Sequence, residues 1–319
     1  MRTPRQAVTS EAWLDGLVVP TPSASPSVAS STFHMGSGVF DGLMAYRNGD
    51  HWHLHLARPH LERFCVGCRR MRLTHNWTPT DLEQGIRELL DRCPSTTHYI
   101  RPIAFRGAPE ILLTPSESLP ISVAMFGVPA DRDVPAALRA TLSPVQRVSS
   151  EAIPVRWKVC GAYANSFIAQ THAQEDGFDT AIFLDRAGRI SEASVANVFF
   201  IGDEGLVTPH LRADVFPGLT RVLVLWLAEQ LGVPVAVRDV DGTELDQFTG
   251  GFICSTLMEI KPLTVIDSVR FDTTSSPIFE AILSAFRDLT HERAPYPEEL
   301  GDLPATDGAQ SRRTFSSRS

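Results

Sequence analysis

The chain has 319 residues, 43% of them hydrophobic, and a formal net charge of -8. That length suits about two domains with a substantial core, and the acidic balance argues against nucleic acid or an anionic membrane as the main ligand. No run approaches the ~20 apolar residues of a membrane span, and MRTPRQAVTSEAW lacks a signal-peptide core, so a cytoplasmic protein is expected.

Residues 13–20 read as a strand and turn, and PTPSASPSVASS after them as a loop. FHMGSGVFDGLMAY carries Gly36, Gly38 and Gly42, which let backbone approach closely or turn sharply. It is not a dinucleotide fingerprint, because no strand leads into a glycine turn that opens a helix. A strand is expected over residues 53–56, and His51, His53 and His55 alternate as on one strand face. A helix starts near Arg58-Pro59, since proline suits the first helical position, and a second spans 81–91. Cys65 and Cys68 lie three apart, on one face of that first helix. Five cysteines with no second Cys/His pair at zinc spacing favour a structural role, and no metal site is expected. Residues 99–105, 111–114 and 121–126 read as strands. GVPADRDVP then marks a boundary, giving an N-terminal domain over 1–128 and a connector over 129–137.

A C-terminal domain is expected over 138–290. It opens with a strand at 138–142, a helix at about 162–174, a strand at 180–184, a turn at 185–188 and a strand at 195–201. A helix follows over 219–231, with Val222, Leu225, Trp226 and Leu231 as its apolar stripe. A strand at 233–237, a helical turn at 243–247, a strand at 252–255 and a helix at 278–289 complete it. From His291 onward Pro, Ser, Arg and acidic residues dominate, which predicts a disordered tail over 291–319.

The chemistry concentrates in WKVCGAYANS, residues 157–166. Lys158 and Lys261 are the only lysines among 29 Lys and Arg. Arginine cannot replace lysine where a neutral nucleophile is needed, because guanidinium stays protonated. An amine that loses its proton forms a Schiff base with an aldehyde. The uncharged neighbours of Lys158 suggest an apolar wall, which disfavours a charged ammonium. The competing reading is an ordinary surface lysine.

Four more stretches bear on that choice. PGLTR, residues 217–221, opens a helix whose free N–H groups favour a phosphate, or is a plain cap. Arg58 at another helix start adds a fixed charge for that phosphate, or is a surface arginine. Ser191-Glu192 in RISEASVANVFF lies between two strands. A carboxylate entering an apolar segment needs a cationic partner, either a protonated pyridine nitrogen or an arginine. CSTLMEIKPL puts Ser255 and Thr256 at the end of a strand, where ligands often bind.

HMGSGVFDG, HLARPHLERF, YIRPIAFRG, WKVCGAYANS, ISEASVANVFF, PGLTR and CSTLMEIKPL occur in this order. Together they resemble the class IV aminotransferases, fold type IV pyridoxal-phosphate enzymes, and within them the branched-chain amino-acid aminotransferases. The likeness covers about residues 12–290. It implies a two-domain α/β (α+β) fold of type IV, with a smaller N-terminal α/β domain and a larger C-terminal mixed-sheet domain, in a homodimer. It implies pyridoxal 5'-phosphate as cofactor and amino-group exchange between an L-amino acid and a 2-oxo acid such as 2-oxoglutarate. By that resemblance Lys158 forms the Schiff base, Tyr163 faces the phenolic oxygen, and Glu192 holds the pyridine nitrogen protonated. Arg58, the Leu219 and Thr220 amides, and Thr256 grip the phosphate. Phe40, Tyr99 and Arg101 line the substrate pocket, and the Thr256–Leu257 backbone meets the substrate carboxylate.

The sequence departs from branched-chain enzymes at Met35, where tyrosine is usual, and at Ala162, in place of the asparagine of GNY. Ser255 and Leu257 replace the Gly and Ala of GTA, and the junction near Gly127 lacks the aromatic loop that closes many such pockets. A specialised amino acid is therefore admitted as substrate. Competing functions are a lyase of the same fold, resembling aminodeoxychorismate lyase, a D-amino-acid transaminase, and a non-catalytic scaffold. YIRP favours the L-specific transaminase, with Tyr99 and Arg101 two apart on one strand face. The competing role for Arg101 is to pair with Asp41 and brace the domain.

Overall fold

A computed structural model describes residues 8–110, 113, 119–130 and 137–296. In its first half lie β1 (Glu11–Leu14), β2 (Leu17–Pro20), α1 (Ser31–Met35), β3 (Val39–Phe40), β4 (Leu43–Asn48), β5 (His51–Leu54), α2 (Ala57–Arg70), α3 (Pro79–Leu90), β6 (His98–Phe105) and β7 (Ser122–Pro129). The described strands form an antiparallel sheet in the order β2-β1-β7-β6-β4-β5, with β3 beside β6. Asp15 and Gly16 both take positive φ between β1 and β2, the backbone that a tight hairpin needs. Thr78 and Asp81 form a capping box around Pro79, which fixes the start of α3. Helices α2 and α3 bury Leu61, Phe64, Leu82 and Ile86 against Trp13, Ile100 and Met125 of the sheet.

The second half holds β8 (Leu138–Leu142), α4 (Tyr163–Glu175), β9 (Thr180–Leu184), β10 (Ile190–Ala193), β11 (Asn197–Gly202), β12 (Gly205–Pro209), α5 (Leu219–Gln230), β13 (Val235–Arg238), β14 (Gly250–Ser255), β15 (Glu259–Ile266), β16 (Val269–Arg270) and α6 (Pro277–Thr290). Its described strands form a mixed sheet in the order β10-β9-β8-β15-β14-β11-β12-β13, with β16 beside β15. The β8–β9, β8–β15 and β12–β13 pairs are parallel. Strands alternate, so Phe199 and Phe252 pack under α5 and α6, while Phe200 and Ile253 face a core with Ile182 and Leu245. The first sheet ends at Pro129 and the second begins at Leu138.

The structure corrects several expectations. The 111–114 strand and most of the 129–137 connector fall outside the described residues. The first helix begins at Ala57, ahead of Pro59. Ser191 and Glu192 lie on β10 itself. Strand β15 reads EIKPLTVI and lies between β14 and β8. In the fold β8 pairs with it only from Leu263 onward.

The tail expected from 291 is ordered in its first part. Glu292 receives Asn48 Nδ2 at 2.8 Å and lies 2.6 Å from His51 Nε2. The Tyr296 hydroxyl lies 2.9 Å from His53 Nε2 and 2.5 Å from His55 Nδ1, its ring 5.0 Å from that of His53. A half-buried ring with two ring-nitrogen partners offsets the entropy that composition alone said was lost. Residues 297–319 lie outside the described residues. We expect Tyr296→Ala to lower stability by about 1–2 kcal/mol, a hydrogen bond plus part of a ring's packing. A urea melt indistinguishable from wild type would show that this segment only rests on the sheet.

Candidate active site

Lys158 follows a short 3-10 turn and takes left-handed φ, +49°. The segments on either side of it are stitched across the halves of the chain. Phe40 N–H donates to the Lys158 carbonyl at 3.2 Å, Cys160 N–H to that of Gly38 at 2.8 Å, and Gly161 N–H to that of Gly36 at 2.8 Å. The approach is close enough that a Cβ on Gly36 would lie 2.7 Å from the Gly161 Cα. The amine stands over the Phe40 and Phe216 rings, 4.9 and 4.7 Å from their centroids, and donates to the Tyr163 hydroxyl at 3.0 Å. Tyr163 in turn meets Phe40 edge-on. The expected apolar wall is thus aromatic.

The cleft around this amine is lined by Phe40, Arg63, Tyr99, Arg101, Lys158, Tyr163, Glu192, Leu219, Thr220, Thr256 and Leu257. Every expected site residue except Arg58 lies on that wall. Glu192 is 4% exposed on β10. Arg147 donates to its Oε1 at 2.9 Å, while Asn197 Nδ2 and Phe216 N–H each reach Oε2 at 3.0 Å. Burial raises the Glu192 pKa above the ordinary glutamate value, against the opposing pull of Arg147, the Phe216 amide and Lys158. Its cationic partner in the protein is therefore an arginine. No local pattern marked Arg147, which lies 45 residues upstream of Glu192 on a loop, and only the requirement that a buried carboxylate be paired pointed to such a residue.

Arg58 is corrected. Its side chain is 81% exposed and pairs with Glu62 one turn along α2. Arg63 occupies the cleft instead, five residues on and about 140° round the helix. Its Nε donates to Asp41 Oδ2 and its Nη2 to Oδ1, both at 2.8 Å, a bidentate grip. It also reaches the Pro217 carbonyl at 3.4 Å and covers the Phe216 ring. Asp41 is fully buried and further accepts from Gly42 N–H, with His60 Nδ1 at 2.9 Å. Burial alone would raise its pKa, but Arg63 and His60 outweigh that and hold the carboxyl well below the usual range. Beside Arg63, α5 starts at Leu219 after Gly218, with no side chain capping it, so its first N–H groups are available to an anion.

Arg101 shares the wall with Tyr99. Its guanidinium lies 4.6 Å from the Phe40 centroid and donates to the Tyr99 hydroxyl at 3.1 Å. Its buried Nε has no hydrogen-bond partner. Asp41 is engaged by Arg63 and His60, so it is not the acidic partner that a bracing role would give Arg101. Thr256, Leu257 and Met258 form the tight loop between β14 and β15, closed by Glu259 at left-handed φ. Cys65 and Cys68 are buried in the α2 core, where burial pushes the Cys65 thiol up to about 11 and the Cys68 thiol higher still.

The family described as amino-transferase class IV matches residues 38–266. A probable branched-chain-amino-acid aminotransferase of Aquifex aeolicus (strain VF5) is 31% identical over 264 residues, 81% of this chain and 84% of its own. The crystal structure of a branched-chain aminotransferase from the archaeon Thermoproteus uzoniensis with norvaline superposes with a TM-score of 0.85 at 30% identity, covering 90% of this chain and 96% of that one. A T.th. branched-chain amino acid aminotransferase complexed with N-(5'-phosphopyridoxyl)-L-glutamate gives 0.85 at 27% identity, covering 90% and 95%.

Arg63→Ala should cost about 3–5 kcal/mol, because it strands the buried Asp41 carboxylate. Asp41, with its depressed pKa, stabilises the fold above its unfolded-state pKa, and this contribution fades only as pH falls towards the depressed value. The Arg63→Ala deficit should therefore be full at neutral pH and shrink in acid. Arg58→Ala should melt as wild type, and equal losses for the two variants would refute the exchange of roles.

Proposed function

The chain belongs to the class IV aminotransferases, and from that membership we propose that it moves an amino group between an apolar, branched-chain-like L-amino acid and a 2-oxo acid such as 2-oxoglutarate, with pyridoxal 5'-phosphate as cofactor. The observation that carries this reading is a lone amine in an aromatic cleft, Lys158, bonded to the Tyr163 hydroxyl. The cleft also holds an arginine-paired carboxylate, Glu192, and an uncapped helix start, α5. The donor set fits the cofactor: an amine for its aldehyde, an anion for its ring nitrogen, and N–H groups with Arg63 for its phosphate. When bound, pyridoxal phosphate supplies an aldehyde that condenses with amines and a pyridinium ring that withdraws electrons from the substrate α-carbon.

The protein's part is positioning and proton handling. Lys158 Nζ would be the base that carries the proton from the substrate α-carbon. Tyr163 steadies that amine through its hydroxyl. Glu192, held in place by Arg147 and two N–H donors, accepts the ring N–H. Arg63, the Leu219 and Thr220 amides, and Thr256 take the phosphate. Phe40, Tyr99 and Val155 offer apolar surface to a side chain, and the Thr256–Leu257 backbone faces the α-carboxylate. Arg101 answers the second carboxylate of glutamate or 2-oxoglutarate. Two related structures, one with norvaline and one with a phosphopyridoxyl-glutamate adduct, support a pocket that takes both an apolar and an acidic partner. We read the active form as a homodimer, with Phe33 and Phe167, 72% and 73% exposed, as apolar surface for a second copy.

Lys158→Ala should lower leucine–2-oxoglutarate transamination by more than roughly a thousandfold, since a positioned proton carrier alone contributes 10²–10⁴-fold. The purified variant should also lack the visible absorbance band of lysine-bound cofactor. Turnover at the wild-type rate would end this reading.

Arg101→Ala should weaken glutamate and 2-oxoglutarate by about 1.5–3 kcal/mol in kcat/KM, the scale of a hydrogen bond to a charged group. Leucine should suffer much less. Half-reactions measured with each donor decide it, and equal losses would return Arg101 to a structural role.

A further inference from the structure

We infer that Asn197 is a positioning residue that couples the two ends of the cleft, holding Glu192 at one end and the start of α5 at the other with a single carboxamide. The inference rests on reading the cleft as a pyridoxal-phosphate site. Asn197 opens β11 opposite Cys254 of β14 and is 4% exposed. Its Nδ2 donates to Glu192 Oε2 at 3.0 Å and to the Phe216 carbonyl at 2.8 Å. The Phe216 N–H donates to that same Oε2 at 3.0 Å. The Phe216 residue is thus gripped through its N–H by Glu192 and through its carbonyl by Asn197. Two residues later comes Gly218, the N-cap of α5.

The other atom of the carboxamide packs against the second end. Asn197 Oδ1 lies 2.1 Å from where a Cβ on Gly218 would stand. The N-cap of α5 is therefore seated against Asn197, and no side chain of its own covers the helix N–H groups. The requirement selects asparagine. Two N–H donors on one short neutral side chain serve a carboxylate and a carbonyl at once, and a hydroxyl carries only one. Aspartate has the same shape, but its charged form would face Glu192 with like charge and give no donor. All of these groups are in the cleft wall or behind it, so a lost donor is not replaced freely by water.

The test compares pyridoxal 5'-phosphate with phosphate-free pyridoxal, bound to full-length protein stripped of cofactor. Wild type, Asn197→Ala and the isosteric Asn197→Asp are titrated, with a thermal melt of each to confirm folding. Coupling predicts that pyridoxal binds more weakly in both variants, through Glu192. It also predicts that the advantage of the phosphate ester over pyridoxal shrinks by about tenfold or more, the scale of a hydrogen bond to a charged group. Thr256→Ala, which removes a phosphate contact at one end only, should reduce that advantage while leaving pyridoxal binding unchanged. Equal weakening of the two ligands in the Asn197 variants would overturn the coupling, as would no change in either. Wild-type protein that binds neither ligand would instead refute the cofactor reading, and this inference with it.

Discussion

The position of Lys158 depends on two backbone segments from opposite halves of the chain lying within hydrogen-bonding distance. Residues 36–40 and 158–161 exchange three N–H···O bonds, and that contact leaves no room for side chains. Gly36 and Gly161 are glycines because a Cβ on Gly36 would meet the Gly161 Cα at 2.7 Å. A Cβ on Gly38 would lie 3.0 Å from Thr32 Cγ2 and 3.1 Å from Cys160 Sγ. Lys158, a non-glycine residue at φ +49°, bears a backbone cost that the stitched neighbours on both sides hold in place. The amine is thereby aimed between Phe40 and Phe216 rather than left on a surface.

Two carboxylates are buried at this junction, and each is compensated differently. Asp41 meets a bidentate arginine, a histidine and an amide, and its charge is secured far into acid. Glu192 has one Nη of Arg147 and two neutral donors, and burial still raises its pKa. A buried ion pair is weak evidence for stability. The contrast instead sorts the two by task. Asp41 is tied to Arg63, whereas Glu192 keeps an electrostatic need that a further N–H donor in the cleft would meet.

Much of this was legible in the sequence because its signals are local. The rarity of lysine singled out Lys158, the PGLTR glycine and threonine marked a helix start, and alternating apolar residues gave most strands. Arg63 was obscured because both arginines sit in one short run and only the helix phase separates them. Five residues put them about 140° apart, and nothing in the run itself says which of the two faces meets the cleft. Arg147 was not readable, because its link to Glu192 is a long-range pairing with no spacing rule. The segment His291 to Tyr296 looked like tail by composition. Its order comes from His51, His53 and His55 more than two hundred residues upstream, whose alternation was visible but whose partner was not.

The Asp41–His60–Arg63 cluster also sets how the helix end of the cleft attracts an anion. His60 is 1% exposed and burial lowers its pKa despite the nearby Asp41, so at neutral pH its ring adds no charge. One carboxylate and one guanidinium then cancel. An anion arriving there meets a locally compensated pair whose attraction lies in aimed N–H groups from Arg63 and α5, with Lys158 and Arg101 as further basic side chains of the same cleft. Such contacts act at bonding distance, inside the Debye length of about 8 Å at physiological salt. Capture at this end is accordingly a matter of fit at short range, decided by how well an anion matches the aimed N–H groups.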